Sequence, residues 1–340
     1  MTTQNRRIRR VAAGLAVALA GTLAACAPEP VPVFTPPVVP EIAPPVINEE
    51  QATTIFQSVE DAIAAGDATL DVEALRPRVS SLALETRQAE YQLQTATGGT
   101  RMPQQLWTDS EIFVISATDT WPRSVLAMSS PKEGTTVRLY LGLVQDGPRD
   151  PYRLVAWSRL LPGLETPTVA SSDVGSAPLT ADSTGFKVTP TEAVAHLADV
   201  LSNPASAFAP EFAPDVFREV YAAELASLGS QVTAEGAAVG EVTSSTAPGP
   251  VVFAIASAEG GAIIMASVDS TVTMRKTVAG AILNPGAELA SLGGTDPIAG
   301  AMVATYKQMV TIYVPPASQP EQLIQVLGAE RVLTSVTRVD

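Results

Sequence analysis

The sequence contains a single cysteine, Cys26, and a single histidine, His196. One cysteine excludes an intramolecular disulfide and any zinc site built from several cysteines. One histidine excludes every metal site or catalytic constellation that needs two imidazoles. Aromatic residues are only 5% of a chain that is 46% hydrophobic, so its cores must be mostly aliphatic.

Basic residues are also scarce, with 21 Lys and Arg against 35 Asp and Glu. Four of the basic residues lie before residue 11, so the chain from Cys26 onward carries 17 against 35, a net charge of about -18. Such an acidic chain is repelled by nucleic acid and by anionic lipid head groups. We therefore predict no nucleic-acid partner and no electrostatic adhesion to a membrane.

The first 25 residues have the pattern of a secretory signal peptide. A basic start is followed by an apolar run over residues 11–25 that ends in small residues. This run has the length of a signal peptide and is too short for an ordinary membrane span. No later run approaches the roughly 18 apolar residues that a spanning helix needs. The clustered arginines, which also resemble a twin-arginine export signal, are Arg6, Arg7, Arg9 and Arg10.

Residues Leu23, Ala24, Ala25 and Cys26 resemble the bacterial lipobox. The resemblance implies that the Cys26 thiol is diacylated and that the signal peptide, residues 1–25, is cut off just before it. Each buried lipid methylene contributes about 0.8 kcal/mol, so two or three acyl chains such as palmitate make a lasting anchor. We therefore expect a lipoprotein held by its lipid at the cell membrane, on the extracytoplasmic face.

A proline-rich segment follows the cysteine, and residues 26–47 contain eight prolines. Proline fixes φ and removes an amide donor, so the segment is predicted to be a polyproline II spacer rising about 3.1 Å per residue. Such a spacer would hold the folded part away from the membrane. Polyproline can also be a ligand for aromatic grooves, which is the alternative interpretation.

Residues 48–165 read as helices followed by antiparallel strands. Asn48 and Gln51 form a capping-box pattern, Gly66 is placed to end the first helix, and a second helix is expected over residues 79–93. Period-two alternation of apolar residues then predicts β-strands. Consecutive strands joined by turns pair as hairpins, so an antiparallel sheet is expected. The strands are expected at 111–117, 124–129, 136–144 and 152–161. This order favours the α+β class.

The same scheme returns in residues 189–340, after a linker over 166–188. Thr189 and Glu192 form a second capping box, and a helix is expected over residues 214–229. The linker is rich in Ser, Thr, Gly and Pro, which indicates a loop region with one or two short strands. Strands are predicted at 251–257, 262–267, 302–314 and 322–339, with a kink or bulge at Gly328.

Similar residues recur in the two segments at nearly constant offsets. Residues 111–117 match residues 251–257 at an offset of 140 residues, and residues 124–129 match residues 262–267 at an offset of 138. Residues 160–162 match residues 313–315 at an offset of 153. These offsets indicate a tandem duplication of about 140 residues. Each repeat resembles the NTF2-like and cystatin-like α+β cone. The tandem arrangement behind a lipobox resembles an uncharacterised family of actinobacterial lipoproteins with a domain of unknown function, and that family implies no catalytic residues.

Few residues are candidates for chemistry. Arg87 and Tyr91, four apart on a helix, could share the mouth of a cone or form an ordinary helical pair. His196 could be a general base or a residue of a helix face. Asp109, Glu111 and Asp119 could bind a cation or be solvated acids. We predict neither a metal nor a cofactor. The methionines that could line an adaptable pocket or belong to a core are Met265, Met274, Met302 and Met309.

The anchor, the spacer and the lack of catalytic motifs favour a non-catalytic binding or scaffolding module. Its expected partner is an envelope protein, a lipid or a cell-wall glycan. The alternative is an NTF2-like enzyme of isomerase or hydrolase type, with an acid or base in a pocket. A purely structural spacer is a third possibility.

Overall fold

A computed structural model describes residues 43–234 and 237–339, and it has the α+β class that the sequence predicts. Two helices and a short 3-10 helix precede the first four strands. The elements are α1 (Glu49–Thr69), the 3-10 helix Val72–Ala74, α2 (Ser81–Ala96), β1 (Ser110–Ile115), β2 (Arg123–Ser129), β3 (Leu139–Gln145) and β4 (Arg153–Leu160).

Two more helices and a second 3-10 helix precede the remaining strands, and a short helix lies between β8 and β9. The elements are α3 (Pro190–Ser202), the 3-10 helix Ala209–Glu211, α4 (Val216–Gln231), β5 (Thr233–Ala234), β6 (Ala237–Ala238), β7 (Gly240–Ala256), β8 (Ala262–Lys276), α5 (Ala287–Gly293), β9 (Ala301–Val314) and β10 (Gln325–Val339). None of the helices within the described ranges has both the length and the apolar character needed to cross a membrane.

Both predicted capping boxes are present. The Asn48 side chain accepts from the Gln51 amide at 2.8 Å and the Gln51 side chain from the Asn48 amide at 3.0 Å. Thr189 and Glu192 do the same at the start of α3. The prediction that Gly66 ends α1 is wrong, because α1 runs on to Thr69. A Cβ at Gly66 would lie 2.6 Å from Leu75 Cδ2, so this glycine serves close packing.

Eight of the ten strands form one curled antiparallel sheet in the order β1-β2-β3-β4-β10-β9-β8-β7, and β5 pairs with β6 in a separate two-stranded sheet. Each half of the sheet is a meander of consecutive strands. The halves meet where β4 pairs with β10, and the ladder holds only two positions, Leu160 with Gly328 and Arg159 with Ala329. We call this junction the seam. A register shift between Val326 and Gly328 confirms the predicted irregularity in β10.

The connection between the halves pairs with both outer strands of the sheet. On one side, Ser176 donates to the Ile115 carbonyl and accepts from the Ala117 amide, both at 2.8 Å. On the other side, the Leu179 amide donates to the Ala254 carbonyl at 3.1 Å. We call residues 176–179 the closure segment, because they join the edges β1 and β7 at one end of the curl.

The two segments share a hydrophobic core. The cluster beneath α1 and α2 includes buried side chains of the second segment, among them Ile263 and Met265 of β8. Their alternate neighbours, Ile264 and Ala266, face the other side of the sheet and pack against α3. The described residues form one compact unit, whereas the sequence predicted a separate cone for each segment. The four candidate methionines are each at most 1% exposed and belong to the cores.

Candidate functional site

A cleft of about 480 Å³ opens beside the seam. Its walls come from α4, from β9 and β10, and from the chain that leaves β4. Gly328 permits the close approach of the strands here, because a Cβ at this position would lie 2.9 Å from the Arg159 carbonyl oxygen. Since β4 and β10 separate after two paired positions, side chains of both strands reach the cleft.

One wall of the cleft is apolar. Val216, Phe217, Val220 and Tyr221 occupy one face of α4, as their spacing requires. Val216 is 39% exposed and Val220 is 49% exposed, although both are valines beside other apolar groups. The residues Leu160, Leu161 and Pro162 also line the cleft. An apolar ligand group can therefore be covered by side chains from both halves of the fold.

The remaining wall carries three ion pairs. Arg159 binds Glu330 through two hydrogen bonds of 2.8 and 3.1 Å. Arg101 lies 3.2 Å from Glu288, and both of these side chains are largely exposed. The third pair joins Arg331 to Glu224. The cleft thus holds equal numbers of arginines and glutamates, and the pairs differ mainly in burial.

Arg331 is the most enclosed arginine of the cleft. Its guanidinium carbon lies 3.6 Å from the ring centroid of Tyr306 and 5.7 Å from that of Tyr221. Burial raises the pKa of Tyr306 to about 12, so this ring keeps its proton at neutral pH. A cation over an aromatic face is attracted by the ring quadrupole. The guanidinium is therefore held in place by the rings as well as by Glu224.

A buried polar network lies behind the seam. Glu90 of α2 accepts from Arg87 Nη1 at 2.8 Å and from the Gln104 amide at 3.1 Å. Burial raises the pKa of Glu90 to about 7, although Arg87 acts in the opposite direction. Burial also raises the pKa of Glu330, whose carboxylate repels that of Glu90. Carboxyl groups in such settings can hold a proton near neutral pH.

The structure brings Arg87 and Tyr91 together but places them in the core. The Tyr91 hydroxyl donates to Asp67 Oδ1 at 2.7 Å, and Arg87 Nε lies 3.4 Å from the same oxygen. Arg87 is 1% exposed and lies over the Trp157 ring at 5.6 Å. Burial raises the pKa of Tyr91. Neither residue lines the cleft, because both side chains of α2 turn toward the sheet.

His196 lies on the other side of the sheet from Arg87 and Tyr91. It belongs to α3, whose apolar residues pack on the opposite sheet face. The imidazole stacks on Phe208 with ring centroids 3.7 Å apart, and its Nδ1 is 2.7 Å from Glu211 Oε2. Arg87, Tyr91 and His196, the three candidates for a pocket, therefore do not form one site.

The other sequence candidates are dispersed. Glu111 pairs with Arg138 at 2.6 Å. Within residues 43–234 and 237–339, no group of three or more His, Cys, Asp or Glu side chains is arranged to hold a metal ion. The signal peptide, the lipobox Leu23 to Cys26 and most of the spacer lie outside the described residues.

The cleft residues could not be predicted as a site from the sequence, because they come from distant segments of the chain. One local pattern could have indicated them: Glu330 and Arg331 are adjacent opposite charges inside the long apolar strand β10. A strand that is buried on both faces rarely carries charges unless they are paired. Their partners, Arg159 and Glu224, are more than one hundred residues away in the sequence.

A protein-family model described as a domain of unknown function (DUF8094) matches residues 43–338. The match covers the cleft, the buried network and both halves of the sheet. No curated protein and no solved structure matches the chain.

Proposed function

Because the chain belongs to the family of the domain of unknown function (DUF8094), which brings no activity with it, we propose a function from the cleft and the N-terminal segment. The protein is a lipoprotein tethered to the extracytoplasmic face of the cell membrane. It binds an envelope component, whether a protein, a lipid or a cell-wall glycan, in the cleft beside the seam, without catalysis.

The cleft is the observation that carries this proposal. Its volume of about 480 Å³ lies in the range of ligand pockets, roughly 300–1,000 Å³. Such pockets combine apolar walls with a few fixed polar groups, as α4 and Arg331 do here. The exposure of Val216 and Val220 beside these groups gives a ligand apolar surface to cover.

The tether is supported by the sequence and by the net charge. An acidic chain from Cys26 onward gains nothing from anionic lipid head groups, so acyl chains on the cysteine supply the attachment. The proline-rich segment leads directly into the fold, where the Val46 amide donates to the Ser116 carbonyl at 3.0 Å. The spacer thus presents the folded part at a distance from the membrane.

A tandem duplication is part of the proposal. Each segment contributes two helices and then four strands of the large sheet, with β5, β6 and α5 as additions in the second segment. The strand order of the sheet treats the two meanders alike. In this order the equivalent strands of the two meanders are β1 and β7, β2 and β8, β3 and β9, and β4 and β10. It disagrees with the match of residues 160–162 to 313–315, which would pair the end of β4 with the end of β9. The likeness of each half to an NTF2-like or cystatin-like cone and the actinobacterial origin stay resemblances.

Two experiments test the proposal. For the tether, Cys26→Ala should move the protein from the membrane fraction to the soluble fraction, because the thiol that carries the lipid is gone. Persistence of the variant in washed membranes would contradict the lipid anchor.

For the cleft, purified protein is incubated with envelope extracts and examined by native mass spectrometry. A bound component should be retained by the original chain and lost from Val220→Trp, which fills the cleft. Val278→Trp is the matched control, because Val278 is 44% exposed and does not line the cleft. Equal retention by both variants would contradict the cleft as the binding site.

A second candidate function is catalysis, of the isomerase or hydrolase type. The observation that favours it is Glu330, a buried carboxyl group at the cleft whose pKa is raised by burial. A carboxyl group whose pKa is raised by burial can act as a general acid or base. Turnover of an envelope substrate that is lost in Glu330→Gln and kept in His196→Ala would support this function over simple binding.

A further inference from the structure

We propose that the ligand of the cleft is an amphipathic molecule with a carboxylate head group and an apolar chain. The inference rests on the proposed function and names the chemical class of its ligand. Arg331 receives the acidic head, and the apolar wall of α4 covers the chain.

The position of Arg331 suits an oxyanion. Tyr306 and Tyr221 hold its guanidinium, and its side chain is 19% exposed, so the group is fixed and partly shielded from water. Only Nη1 donates to Glu224, and Nε, which is buried, has no hydrogen-bond acceptor among the described residues. Guanidinium groups bind carboxylates and phosphates most strongly when two N–H groups donate in parallel. The pair with Glu224 uses less than this capacity.

Glu224 is a partner that a ligand can replace. Its side chain is 47% exposed, at the surface of α4, so it can turn into water at little cost. The Arg159 pair is different, because Glu330 is only 7% exposed and both of its oxygens are engaged. Arg101 is 61% exposed and is the least fixed of the three arginines. Arg331 is therefore the arginine that combines a fixed position with an exchangeable partner.

A cationic head group fits the cleft less well. Glu330, the most buried carboxylate of the cleft, already accepts two hydrogen bonds from Arg159, and a cationic ligand would have to break both of them. A cation beside Glu224 would also lie next to the enclosed charge of Arg331. Like charges at short range repel strongly in a partly buried site.

The apolar wall explains the rest of the ligand. Val216 and Val220 lie on the exposed side of α4, next to Phe217, and Leu160 and Leu161 also line the cleft. Covering these side chains with a hydrocarbon chain removes apolar surface from water, which is favourable. A ligand with a small acidic head and no chain would leave this surface uncovered and bind weakly.

The test compares three probes with the same twelve-carbon chain: dodecanoate, dodecanol and dodecyltrimethylammonium. Binding to the purified full chain is measured by isothermal titration calorimetry, below the micelle concentration of the two ionic probes and below the solubility limit of dodecanol. We expect dodecanoate to bind at least tenfold more tightly than the other two. Arg331→Gln should weaken dodecanoate binding at least tenfold, while Arg275→Gln, an exposed arginine paired with Glu241 outside the cleft, should leave it unchanged.

Glu224→Gln distinguishes a ligand role from a structural role of the Arg331 pair. Removing the competing carboxylate should strengthen dodecanoate binding severalfold, whereas loss of a structural ion pair would weaken it or leave it unchanged. This variant also keeps the proposal testable if Arg331→Gln fails to fold, because Glu224 is half exposed on a helix surface.

Three results would overturn the inference. They are equal or tighter binding of the trimethylammonium probe, no strengthening in Glu224→Gln, and no binding of dodecanoate at all. If dodecanoate fails while an envelope component is still retained by the original chain and lost from Val220→Trp, the acidic head is wrong and the proposed function stands. If no component is retained either, the proposed function fails as well.

Discussion

Glu90 is a carboxyl group that the fold buries beside an arginine, and its protonation should govern part of the stability. The folded state raises its pKa from 4.5 to about 7, so the folded state holds the proton more tightly than the unfolded state does. The contribution of Glu90 to the free energy of unfolding is fully present below about pH 4.5 and is lost as the pH rises toward 7. The sign follows from burial, which outweighs the attraction of Arg87.

We predict that Glu90→Gln removes this decline. The free energy of unfolding of the original chain, relative to that of the variant, should fall by up to about 3 kcal/mol between pH 5 and pH 8. Urea unfolding at both pH values measures it. Glu73→Gln, at an exposed pair with Arg76, is the control whose profile should run parallel to the original. A constant difference between the original and Glu90→Gln would show that Glu90 is already ionised in the folded state at pH 5.

Local residue patterns were predictable, and residue partnerships were not. The capping boxes at Asn48 and Thr189 could be read from the sequence because both partners lie within three residues. Arg87 and Tyr91 were identified as a pair, but Asp67, which contacts both, lies twenty or more residues away. Burial of a charged group depends on such distant partners, so the sequence offered a cone mouth or an ordinary helical pair, whereas the structure places both residues in a core.

At the scale of elements, strand β7 shows what hydrophobic alternation misses. The sequence predicted a strand over 251–257, whereas β7 begins at Gly240. Pro248, Gly249 and Pro250 interrupt the alternating pattern just before the predicted strand. Proline is tolerated on an edge strand, where its missing amide faces no neighbour. Because β7 pairs only with β8 along most of its length, the strand continues through both prolines.

The seam depends on a glycine of β10, and we predict that Gly328→Ala destabilises the fold by about 1–3 kcal/mol through overpacking. The added Cβ would collide with Ser158 Oγ, which is hydrogen-bonded to Thr311, and with the Arg159 carbonyl. Gly229→Ala is the matched control. A Cβ there meets no described atom within 4 Å, so this helix substitution should stabilise by about 0.5–1 kcal/mol. Thermal unfolding of both variants checks the prediction, and equal stability of Gly328→Ala would show that the seam can open.

At the scale of the whole molecule, a shared sheet makes the two segments dependent on each other. The sequence could indicate helices followed by strands in each segment, because those patterns are local. The β4 and β10 junction could not be predicted, since only two ladder positions join strands that are more than 150 residues apart. The closure segment lies in the linker, where the sequence predicted one or two short strands, but its partners could not be predicted for the same reason, because they are the edges of two different meanders.

We predict a single cooperative unfolding transition for the folded part. All three tryptophans, Trp107, Trp121 and Trp157, lie in the first segment, so fluorescence reports on that segment alone. Ile264→Ala, in the second segment and on the opposite sheet face, removes a fully buried side chain at a cost of about 2–5 kcal/mol. The free energy of unfolding obtained from tryptophan fluorescence in urea should fall by that amount. The fluorescence transition should coincide with the circular dichroism transition. An unshifted fluorescence midpoint would mean that the first segment unfolds independently.

The entry of the proline-rich segment into the fold determines where mechanical load arrives. With the proposed tether in place, drag on the folded part would pull on Pro45 and Val46, which contact the residues just after β1, beside the closure segment. The cleft is built from other elements, α4, β9, β10 and the end of β4. Tension from the proposed anchor would therefore enter through the closure segment, whereas the proposed ligand would be held by the cleft beside the seam. The two forces would act on separate sets of hydrogen bonds and contacts.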